Sequence, residues 1–458
     1  MRIVVVGIGK LGFTVADSLA KENHDVVVVD QSEAVIERCE DALDVLCVRG
    51  NGANASVLLE AGVDKADIII CTTATDEVNM LCSLIAKRLG ARYAIARVRD
   101  PEYNDSLTLM QRELGIDMAV NPERATALEI SRLLRFPFAS TIQTFAKGRV
   151  EMVAFKAMEG DAIVNHSLQE LTQSKQLHAL PRVLYAVIER GNEVLIPHGD
   201  FIIRAGDRVH VAADMVTITK YFHALGKGNY RIKSVMLLGG GRISYYLAKM
   251  IAPVGLHTTI LEINPEKAKF LGEMLPESNI TVICGDGTDQ DILEQEGLSD
   301  MDAFVTLSNR DEENLLTGLH AVRKEVPKVI VKNNRIAYTE ITNDLGLDTI
   351  VSPKSITSTI ILRYARARVN GGGTTVEKLY RLVDDRVEAM EFVVKQNDPY
   401  IGKPLKELNI RRNSLVAVIV RHGKVIVPFG NDHIEAGDTV VVIACDSGIK
   451  DLNEVIRA

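Results

Sequence analysis

Three things are missing from the sequence, and each excludes a class of protein. No apolar run approaches the roughly 18 to 20 residues that cross a bilayer. The six cysteines form no CxxC pair, which favours reduced, buried thiols over disulfides or a metal site. Basic residues are not in excess, since 53 lysines and arginines face 61 acidic residues, so no nucleic-acid partner is indicated. With an apolar strand leading straight into a glycine turn at the N-terminus, we expect a cytoplasmic protein.

What is present is a duplication within 458 residues. Gly7 and Gly239 differ by 232 positions, as do Asp30 and Glu262. TTATDEVN aligns with LSNRDEEN at an offset of 235, and HGDFIIRAGDRVHV aligns with FGNDHIEAGDTVVV at an offset of 231. The order of the matches is kept along the chain, which predicts two copies of one larger unit.

The segments that open each half, residues 1–123 and 232–350, are predicted to be Rossmann-like nucleotide-binding domains. Short β-branched runs alternate there with amphipathic stretches. Such alternation implies βαβ crossovers and a doubly wound parallel sheet covered on both faces. In the first half the predicted strands are Ile3–Val6, Val26–Val29, Val45–Val48, Ile68–Cys71 and Tyr93–Val98.

The segments that follow, residues 140–226 and 371–455, are predicted to be small α+β modules. Each contains two β-branched runs around a short turn, which indicates a hairpin. The paired runs are Val183–Ile188 with Val194–Ile196, and Leu415–Val420 with Val425–Val427. Short helices are expected around SLQELT and PLKELN.

Two further segments connect these units. ERATALEISRLLR and SITSTIILRYARAR each follow a proline and show one apolar face at helical spacing. Such a helix packs on its own domain or bridges to a partner subunit, and the sequence leaves both open. The glycines of Gly226-Lys-Gly and Asn370-Gly-Gly-Gly indicate flexible linkers.

The first glycine-rich turn carries the chemistry expected of a dinucleotide site. Its residues are Gly7, Ile8, Gly9, Lys10, Leu11 and Gly12. The first glycine permits the tight turn, the second lets a pyrophosphate approach the backbone, and the third lets the next helix pack closely on the sheet. Asp30, 18 residues after Gly12, ends the next strand, where a carboxylate accepts from ribose hydroxyls and favours NAD(H) over NADP(H).

The second turn repeats this pattern with one departure. It comprises Gly239, Gly240, Gly241, Arg242 and Ile243, with Ser244 in place of the third glycine. Glu262 keeps the acidic position. Serine is small enough for near-normal packing, so binding is expected here too, although the ligand can differ. Lys10 and Arg242 either meet phosphate or lie in solvent on the first helical turn.

Further polar residues follow the later strands at the carboxyl edge of each sheet, where open α/β folds bind nucleotides. Asn51 and Asp286, in glycine turns after the third strand, either touch the adenine side of a nucleotide or are there because turn formation alone selects such residues. The cations after the fifth strand contact phosphate or form ion pairs. The candidates after the fourth and fifth strands are Thr73, Ala74, Arg97, Ser308, Asn309 and Lys332.

The sequence offers no matching catalytic apparatus. A dehydrogenase normally presents an acid or base and a substrate pocket to the nicotinamide from a second domain, and the small modules supply no such constellation. The histidines are scattered, and no metal-ligand spacing or nucleophile motif is present. We therefore expect no enzyme. The alternatives are an NAD-dependent oxidoreductase with two fused Rossmann units, or an assembly platform with relic sites.

The combination of GIGKLG, the acid after the second strand, TTATDEVN and the AGD turn resembles RCK (KTN) domains, which regulate potassium transport. Two complete units in one chain are similar to the cytosolic subunits of bacterial Trk potassium uptake, and the resemblance covers nearly all of the 458 residues. It implies binding of NAD(H), ATP or ADP at residues 7–11, Asp30, Thr73, Ala74 and Arg97, and at residues 239–243 and Glu262.

The resemblance also implies partners and a location. It predicts a homo-oligomer, with four chains in a ring beneath a membrane potassium transporter of the TrkH or TrkG type. The protein would then be cytoplasmic and peripherally associated with the inner face of the membrane through that transporter. Ligand exchange would change the angles between lobes and open or close the pore. Ser244 is the departure that puts an identical second ligand in doubt.

Overall fold

Two copies of the same pair of units build the molecule. The computed structural model describes residues 1–103, 107–173, 180–227, 231–334, 347, 349–369, 376–383, 386–396, 398–445, 449 and 451–457. Six-stranded and five-stranded sheets alternate along the chain. In these ranges no helix is long and apolar enough to cross a membrane. Of the two predicted linkers, Asn370-Gly-Gly-Gly and the last glycine of Gly226-Lys-Gly lie outside the described residues.

The first sheet is parallel with the order β3-β2-β1-β4-β5-β6, so the chain reverses direction across the sheet between β1 and β4. All five predicted strands are present, and a sixth edge strand is added. The strands are β1 (Arg2–Val6), β2 (Asp25–Asp30), β3 (Leu46–Arg49), β4 (Ile68–Cys71), β5 (Tyr93–Arg97) and β6 (Met118–Val120). The helices between them are α1 (Lys10–Lys21), α2 (Glu33–Ala42), α3 (Ala55–Glu60), α4 (Asp76–Leu89) and α5 (Leu107–Leu114).

After helix α6 (Pro122–Arg135) the chain forms an antiparallel sheet in the order β10-β9-β11-β8-β7. The predicted hairpin is present between β9 and β10, and the helix predicted at SLQELT is α7. The elements are β7 (Ala139–Phe145), β8 (Val150–Lys156), α7 (Leu168–Gln173), β9 (Leu184–Arg190), β10 (Glu193–Leu195), β11 (Arg208–Ala213) and α8 (Met215–Ala224).

The second half opens with another parallel sheet, in the order β14-β13-β12-β15-β16-β17, so the predicted fold class and its duplication are confirmed. Its strands are β12 (Ser234–Leu238), β13 (His257–Glu262), β14 (Ile280–Cys284), β15 (Ala303–Thr306), β16 (Lys328–Lys332) and β17 (Ile350–Val351). Its helices are α9 (Arg242–Ile251), α10 (Pro265–Met274), α11 (Gln290–Gln295) and α12 (Asp311–Arg323).

Helix α13 (Pro353–Val369) leads into the last module, whose main sheet has the order β18-β19-β23-β21-β22, with β20 paired separately to β24. The short helix predicted at PLKELN is present as a 3-10 helix at Leu405–Glu407, shortly before the chain enters β20. The strands are β18 (Val376–Leu382), β19 (Val387–Val393), β20 (Asn409–Ile410), β21 (Ser414–Arg421), β22 (Lys424–Ile426), β23 (Thr439–Ala444) and β24 (Ile456–Arg457).

Both connecting helices cross to the other half of the same chain. The apolar face of α6 packs against α9, with Ala127 and Ile130 in one core with Leu247. The apolar face of α13 packs against α1, where Arg366 forms a buried ion pair with Glu22. The helices also contact each other. Each helix also packs on the module that follows it, since α6 contacts β7 and α13 contacts β18. A contact with the other half of the same chain was in neither alternative drawn from the sequence, because periodicity identifies an apolar face and not the surface that covers it.

The two small modules also share a core. Phe145 and Tyr380, one from each module, lie with ring centroids 4.6 Å apart. The backbone N–H of Ala146 donates to the buried carboxylate of Glu391 at 2.7 Å. Apolar side chains of β8, β19, β21 and β23 complete this shared cluster. Among the described residues, the halves are therefore in contact at the small modules as well as at the connecting helices.

The AGD turn is explained by an ion pair that occurs in both modules. Asp207 is 2% exposed and accepts from Nε of Arg190 at 2.8 Å and from Nη2 at 2.7 Å. Asp438 is held in the same way by Arg421, at 3.0 and 2.8 Å. The arginine is the last residue of β9 or β21, and the aspartate directly precedes the strand paired with it, β11 or β23, so the ion pair ties the ends of the two strands together. The motif therefore has a structural role in each module.

This pair predicts acid sensitivity. Burial opposes ionisation of Asp207, but its bonds from Arg190 and the Arg204 amide outweigh burial and lower its pKa. A lowered folded pKa stabilises the protein above the unfolded pKa of about 4, and this contribution is lost as pH falls through the folded value. We expect Asp207→Asn to reduce stability at pH 7 by about 2 kcal/mol. Urea unfolding between pH 3 and 7 measures both effects.

The matched control is Asp200→Asn, which changes an exposed aspartate nearby in the same module. It should follow the wild-type profile throughout. If Asp207→Asn lost as much stability between pH 5 and 3 as the wild type, the carboxylate of Asp207 would not be the group responsible.

Candidate functional site

One cavity of about 1150 Å³ is lined by the glycine turns of both halves. It lies at the carboxyl ends of β1 and β12, where each strand order reverses and ligands of open α/β sheets bind. The structure therefore brings together most of the residues selected from the sequence. Those lining the cavity are Gly7, Gly9, Lys10, Leu11, Asp30, Asn51, Thr73, Ala74, Arg97, Gly240, Gly241, Arg242, Ile243, Asn309 and Lys332.

The first turn depends on glycine at two of its three glycine positions. Gly7 has a φ of +85°, and a Cβ there would lie 2.6 Å from the backbone of Thr73. A Cβ at Gly12 would lie 2.1 Å from the carbonyl oxygen of Gly7. Gly9 is different, because a Cβ at this position would meet nothing within 4 Å and would project into open space. Gly9 therefore has the surroundings expected of a glycine that leaves room for a ligand.

The acidic residue after the second strand holds the turn in both halves. Asp30 accepts from the N–H of Ile8 at 2.6 Å and from the N–H of Ser32 at 2.9 Å. Glu262 accepts from the N–H of Gly240 at 2.8 Å and from that of Asn264 at 2.9 Å. The longer glutamate reaches the equivalent amide position. Each carboxylate retains oxygen lone pairs for a ribose hydroxyl.

The helices that follow the two turns begin without side-chain caps. Gly9 caps α1 and Gly241 caps α9, and neither helix start receives a side-chain hydrogen bond. The starts of α2, α4 and α12 also lack a side-chain cap. At α1 and α9, however, the N-cap glycines and the first helical residues, Lys10 and Arg242, line the cavity. The free N–H groups and the positive end of the dipole at α1 and α9 therefore face the cavity, which favours a phosphate.

A partly buried cation stands after the fifth strand of each sheet. Arg97 donates to the carbonyl oxygen of Thr73, and Lys332 donates to that of Leu307 at 3.2 Å. Burial, followed by the charge of Arg99, lowers the pKa of Arg97, and burial lowers that of Lys332. Nε of Arg97 is buried without a hydrogen-bond partner. Neither cation has a carboxylate within ion-pair distance in the described ranges, so an anionic ligand would compensate them.

The two sites are close to each other. The charge of Lys10, from the first turn, contributes to lowering the pKa of Lys332 in the second half. Arg242, from the second turn, forms an ion pair with Asp100 of the first half at 3.0 Å. Tyr246 of α9 donates to the carbonyl oxygen of Arg99 at 3.0 Å and accepts from Asn121 at 3.0 Å. A ligand in either turn would therefore act on a boundary between the halves.

Some of the predicted residues lie behind the cavity wall rather than on it. Ile8 and Gly12 support the first turn, and Gly239 and Glu262 support the second. Ser308 is fixed in its loop, where its N–H donates to Asn314 at 3.0 Å. Asp286 accepts from the N–H and the hydroxyl of Thr288, at 2.9 and 2.7 Å, so it forms the turn that was its alternative explanation.

Sequence reasoning assigned no role to Asn79 and Asn314, although both were visible as a matched pair in the repeat. Both are fully buried. Asn79 accepts from the N–H of Thr73 at 2.7 Å and donates to the carbonyl of Arg97 at 2.9 Å. Asn314 donates to the carbonyl of Lys332 at 3.0 Å. Each asparagine therefore ties the ends of the fourth and fifth strands together and fixes the buried cation.

No group of three or more histidine, cysteine or acidic side chains in the described part of the chain is arranged to hold a metal ion. The cavity instead combines two uncapped helix starts, the carboxylate of Asp30 and the cations Arg97 and Lys332, while Glu262 holds the second turn from behind the wall. N–H groups and cations of this kind are suited to phosphates, and a carboxylate at the end of the second strand is suited to a ribose.

Comparison with known proteins gives the family. The TrkA-N domain matches residues 3–122 and 235–353, and the TrkA-C domain matches residues 152–226 and 389–457. The chain is 32% identical over 458 residues to "Trk system potassium uptake protein TrkA homolog" of Archaeoglobus fulgidus, with 100% of both chains covered. It is 30% identical over 445 residues to "Trk system potassium uptake protein TrkA" of Vibrio alginolyticus, covering 96% of this chain and 95% of that protein.

Solved structures share the fold at much lower identity. The GsuK channel aligns with a TM-score of 0.64 at 16% identity, covering 97% of this chain and 76% of the channel. The same channel bound to NAD aligns with a TM-score of 0.62, also at 16% identity and with the same coverage. The isolated GsuK RCK domain, aligned with a TM-score of 0.63 at 16% identity, is covered to 92%, and 97% of this chain is aligned.

The repeated RCK-type architecture and the full-length relatives lead to one conclusion. These relatives are potassium uptake proteins, which confirms the expectation of a regulatory protein and not an enzyme. Carrying two TrkA-N and two TrkA-C domains, the chain belongs to the TrkA family of Trk system potassium uptake proteins.

Proposed function

We propose that this chain is a cytosolic, nucleotide-binding regulatory subunit that gates potassium uptake by a membrane transporter. The observation that carries the proposal is the cavity shared by both glycine turns, because two uncapped helix starts meet there at the boundary between the halves. Membership of a potassium uptake family supplies the process. A nucleotide bound in the cavity would be the signal to which that process responds.

NAD(H), ATP and ADP are the ligands that the site chemistry supports. Asp30 and Glu262 would accept from ribose hydroxyls, and they would repel the 2′-phosphate of NADP(H). The uncapped starts of α1 and α9 would receive phosphate charge, with Arg97 and Lys332 behind it. The fold-level similarity to a channel solved with NAD supports a dinucleotide as one ligand.

The ligands would act by binding one relative arrangement of the halves more tightly than another. A ligand without such a difference in affinity shifts no equilibrium, and couplings of about 1 to 3 kcal/mol are typical of allosteric proteins. The contacts available for this difference cross the boundary, namely the Arg242–Asp100 ion pair and the bond from Tyr246 to Arg99. Triphosphate, diphosphate and dinucleotide would place negative charge differently against them.

Assembly is the second part of the proposal. The chain would form a homo-oligomeric ring, with four chains beneath a transporter subunit of the TrkH or TrkG type, at the inner face of the cell membrane. Solubilised membranes that contain the transporter should release it together with this protein on affinity purification. If the transporter were never recovered with the protein in the presence of NADH, ATP or ADP, the proposed assembly would be contradicted. The proposal that the protein binds nucleotides would not be affected.

Loss of either acidic residue should weaken one site. We expect Asp30→Ala and Glu262→Ala each to lower nucleotide affinity in their own half by about thirtyfold, because one ribose partner and the fixed amide of the turn are lost together. Equilibrium dialysis with NADH, ATP and ADP measures this effect. Asp44→Ala, at an exposed aspartate before β3, is the matched control. Unchanged affinity in both acidic variants would refute the proposed ribose contacts.

A further inference from the structure

The replacement of the third glycine by Ser244 is matched by a second replacement. In the first half, the hydroxyl of Thr72 donates to the carbonyl oxygen of Gly7 at 2.8 Å. In the second half, the hydroxyl of Ser244 donates to the carbonyl oxygen of Gly239. The position of Thr72, shifted by 235, is occupied by Leu307, which has no hydroxyl. The same backbone oxygen thus receives a hydroxyl in both halves, from different elements.

The first half has no room for a side chain in place of Gly12. A Cβ at Gly12 would lie 2.1 Å from the carbonyl oxygen of Gly7 and 2.9 Å from Oγ1 of Thr72. The second turn is looser, because a Cβ at Gly239 would lie 3.2 Å from the nearest backbone atom of Ser308, against 2.6 Å at the equivalent contact of Gly7. Beneath this turn the side chain of Ser244 is fully buried.

The carbonyl oxygen matters because it belongs to the same rigid peptide as an amide that the acidic residue binds. A peptide unit is planar, with its oxygen and its N–H on opposite sides. In the first half the N–H of this unit, on Ile8, donates to Asp30 at 2.6 Å. In the second half the N–H on Gly240 donates to Glu262 at 2.8 Å. Each unit is therefore held at both ends, by a hydroxyl and by a carboxylate.

We infer that Ser244 is a positioning residue of the second site, replacing Thr72 as the group that fixes this peptide and, through it, the carboxylate of Glu262. The inference rests on the proposed function in that Glu262 is taken to meet a ribose. On this inference, Ser244 stands in place of a third glycine because it supplies the hydroxyl that Thr72 supplies in the first half. The second turn is then a complete site and not a degraded copy of the first.

The test is a rescue experiment in the full-length chain. Ser244→Ala removes the hydroxyl, and Ser244→Ala with Leu307→Thr restores one from the first-half position. We expect Ser244→Ala to speed amide hydrogen exchange in residues 239–243 about fivefold and to weaken NADH binding in the second half about fivefold, the value of one hydrogen bond. The double variant should recover most of both losses.

Two variants separate this role from general damage. Leu307→Thr alone should bring no gain in NADH affinity, because the hydroxyl of Ser244 already donates to the carbonyl oxygen of Gly239. Thr72→Val, which removes the first-half hydroxyl at nearly constant shape, should speed exchange in residues 7–12 and leave residues 239–243 unchanged. NADH titration in an Asp30→Ala background reports on the second half by itself.

The outcomes distinguish the inference from the proposed function. Equal exchange in the wild type and Ser244→Ala, or a double variant no better than Ser244→Ala, would overturn the positioning role even if NADH binds. Wild-type protein that binds no nucleotide would overturn the proposed function. Faster exchange in Ser244→Ala that is reversed by Leu307→Thr would then still establish the exchange of donors.

Discussion

Gly12→Ala is expected to destabilise the first Rossmann domain by about 3 kcal/mol, the upper range for forcing an extra methyl group into a packed site. The new Cβ would lie 2.1 Å from the carbonyl oxygen of Gly7, far inside van der Waals contact. Helix α1 would have to move away from the turn, and with it the buried side chains of Leu11 and Val15. The first unfolding transition in urea, followed by circular dichroism, measures the loss.

Gly9→Ala is the matched control, three residues earlier in the same turn. A Cβ there meets nothing within 4 Å, and the backbone φ of −66° suits alanine. Its first transition should coincide with that of the wild type. If Gly12→Ala were as stable as Gly9→Ala, the close packing of α1 beneath the turn would not be a feature of this protein.

Gly9→Ala and Gly241→Ala should each abolish nucleotide binding in one half, with an affinity loss of at least about a hundredfold, while the fold is retained. Gly241 resembles Gly9, with a φ of −80° and no atom within 4 Å of an added Cβ. The added methyl group would occupy the space through which a diphosphate approaches the helix start. Calorimetric titration should find two sites in the wild type, one in each single variant and none in the double variant.

Two sites retained in the double variant would show that phosphate does not approach at these helix starts. Folding and binding are separable here because the three glycines of the first turn differ in what surrounds them. Gly7 and Gly12 are required by packing, and Gly9 is required only if a ligand is present. A purely structural turn would tolerate alanine at position 9 without consequence.

The sequence predicted the fold because its signals are local. β-branched runs predict the buried parallel strands, and the constant offset between matching motifs predicts the duplication, as β1 and β12 confirm. The candidate residues after each strand converge on one cavity because the carboxyl ends of parallel strands share an edge. Topology alone brings Asp30, Thr73 and Arg97 together.

What the sequence did not predict depends on contacts between distant residues. Helix α6 shows an apolar face, but only the tertiary structure places α9 against it. The replacement of Thr72 by Ser244 as hydroxyl donor could not be predicted either. It becomes visible only when both hydroxyls are seen to donate to the same carbonyl oxygen of the turn, that of Gly7 or Gly239. Likewise, Arg242 was expected to meet phosphate or solvent, and the structure shows it paired with Asp100 of the other half.

The most direct test of the account is potassium flux through the transporter in vesicles that also contain this protein. The account predicts that flux changes with NADH, ATP or ADP in the presence of the wild type, and that this response disappears with the Gly9→Ala, Gly241→Ala double variant while the variant still assembles on the transporter. Flux that responds equally to nucleotides with the wild type and the double variant would contradict it.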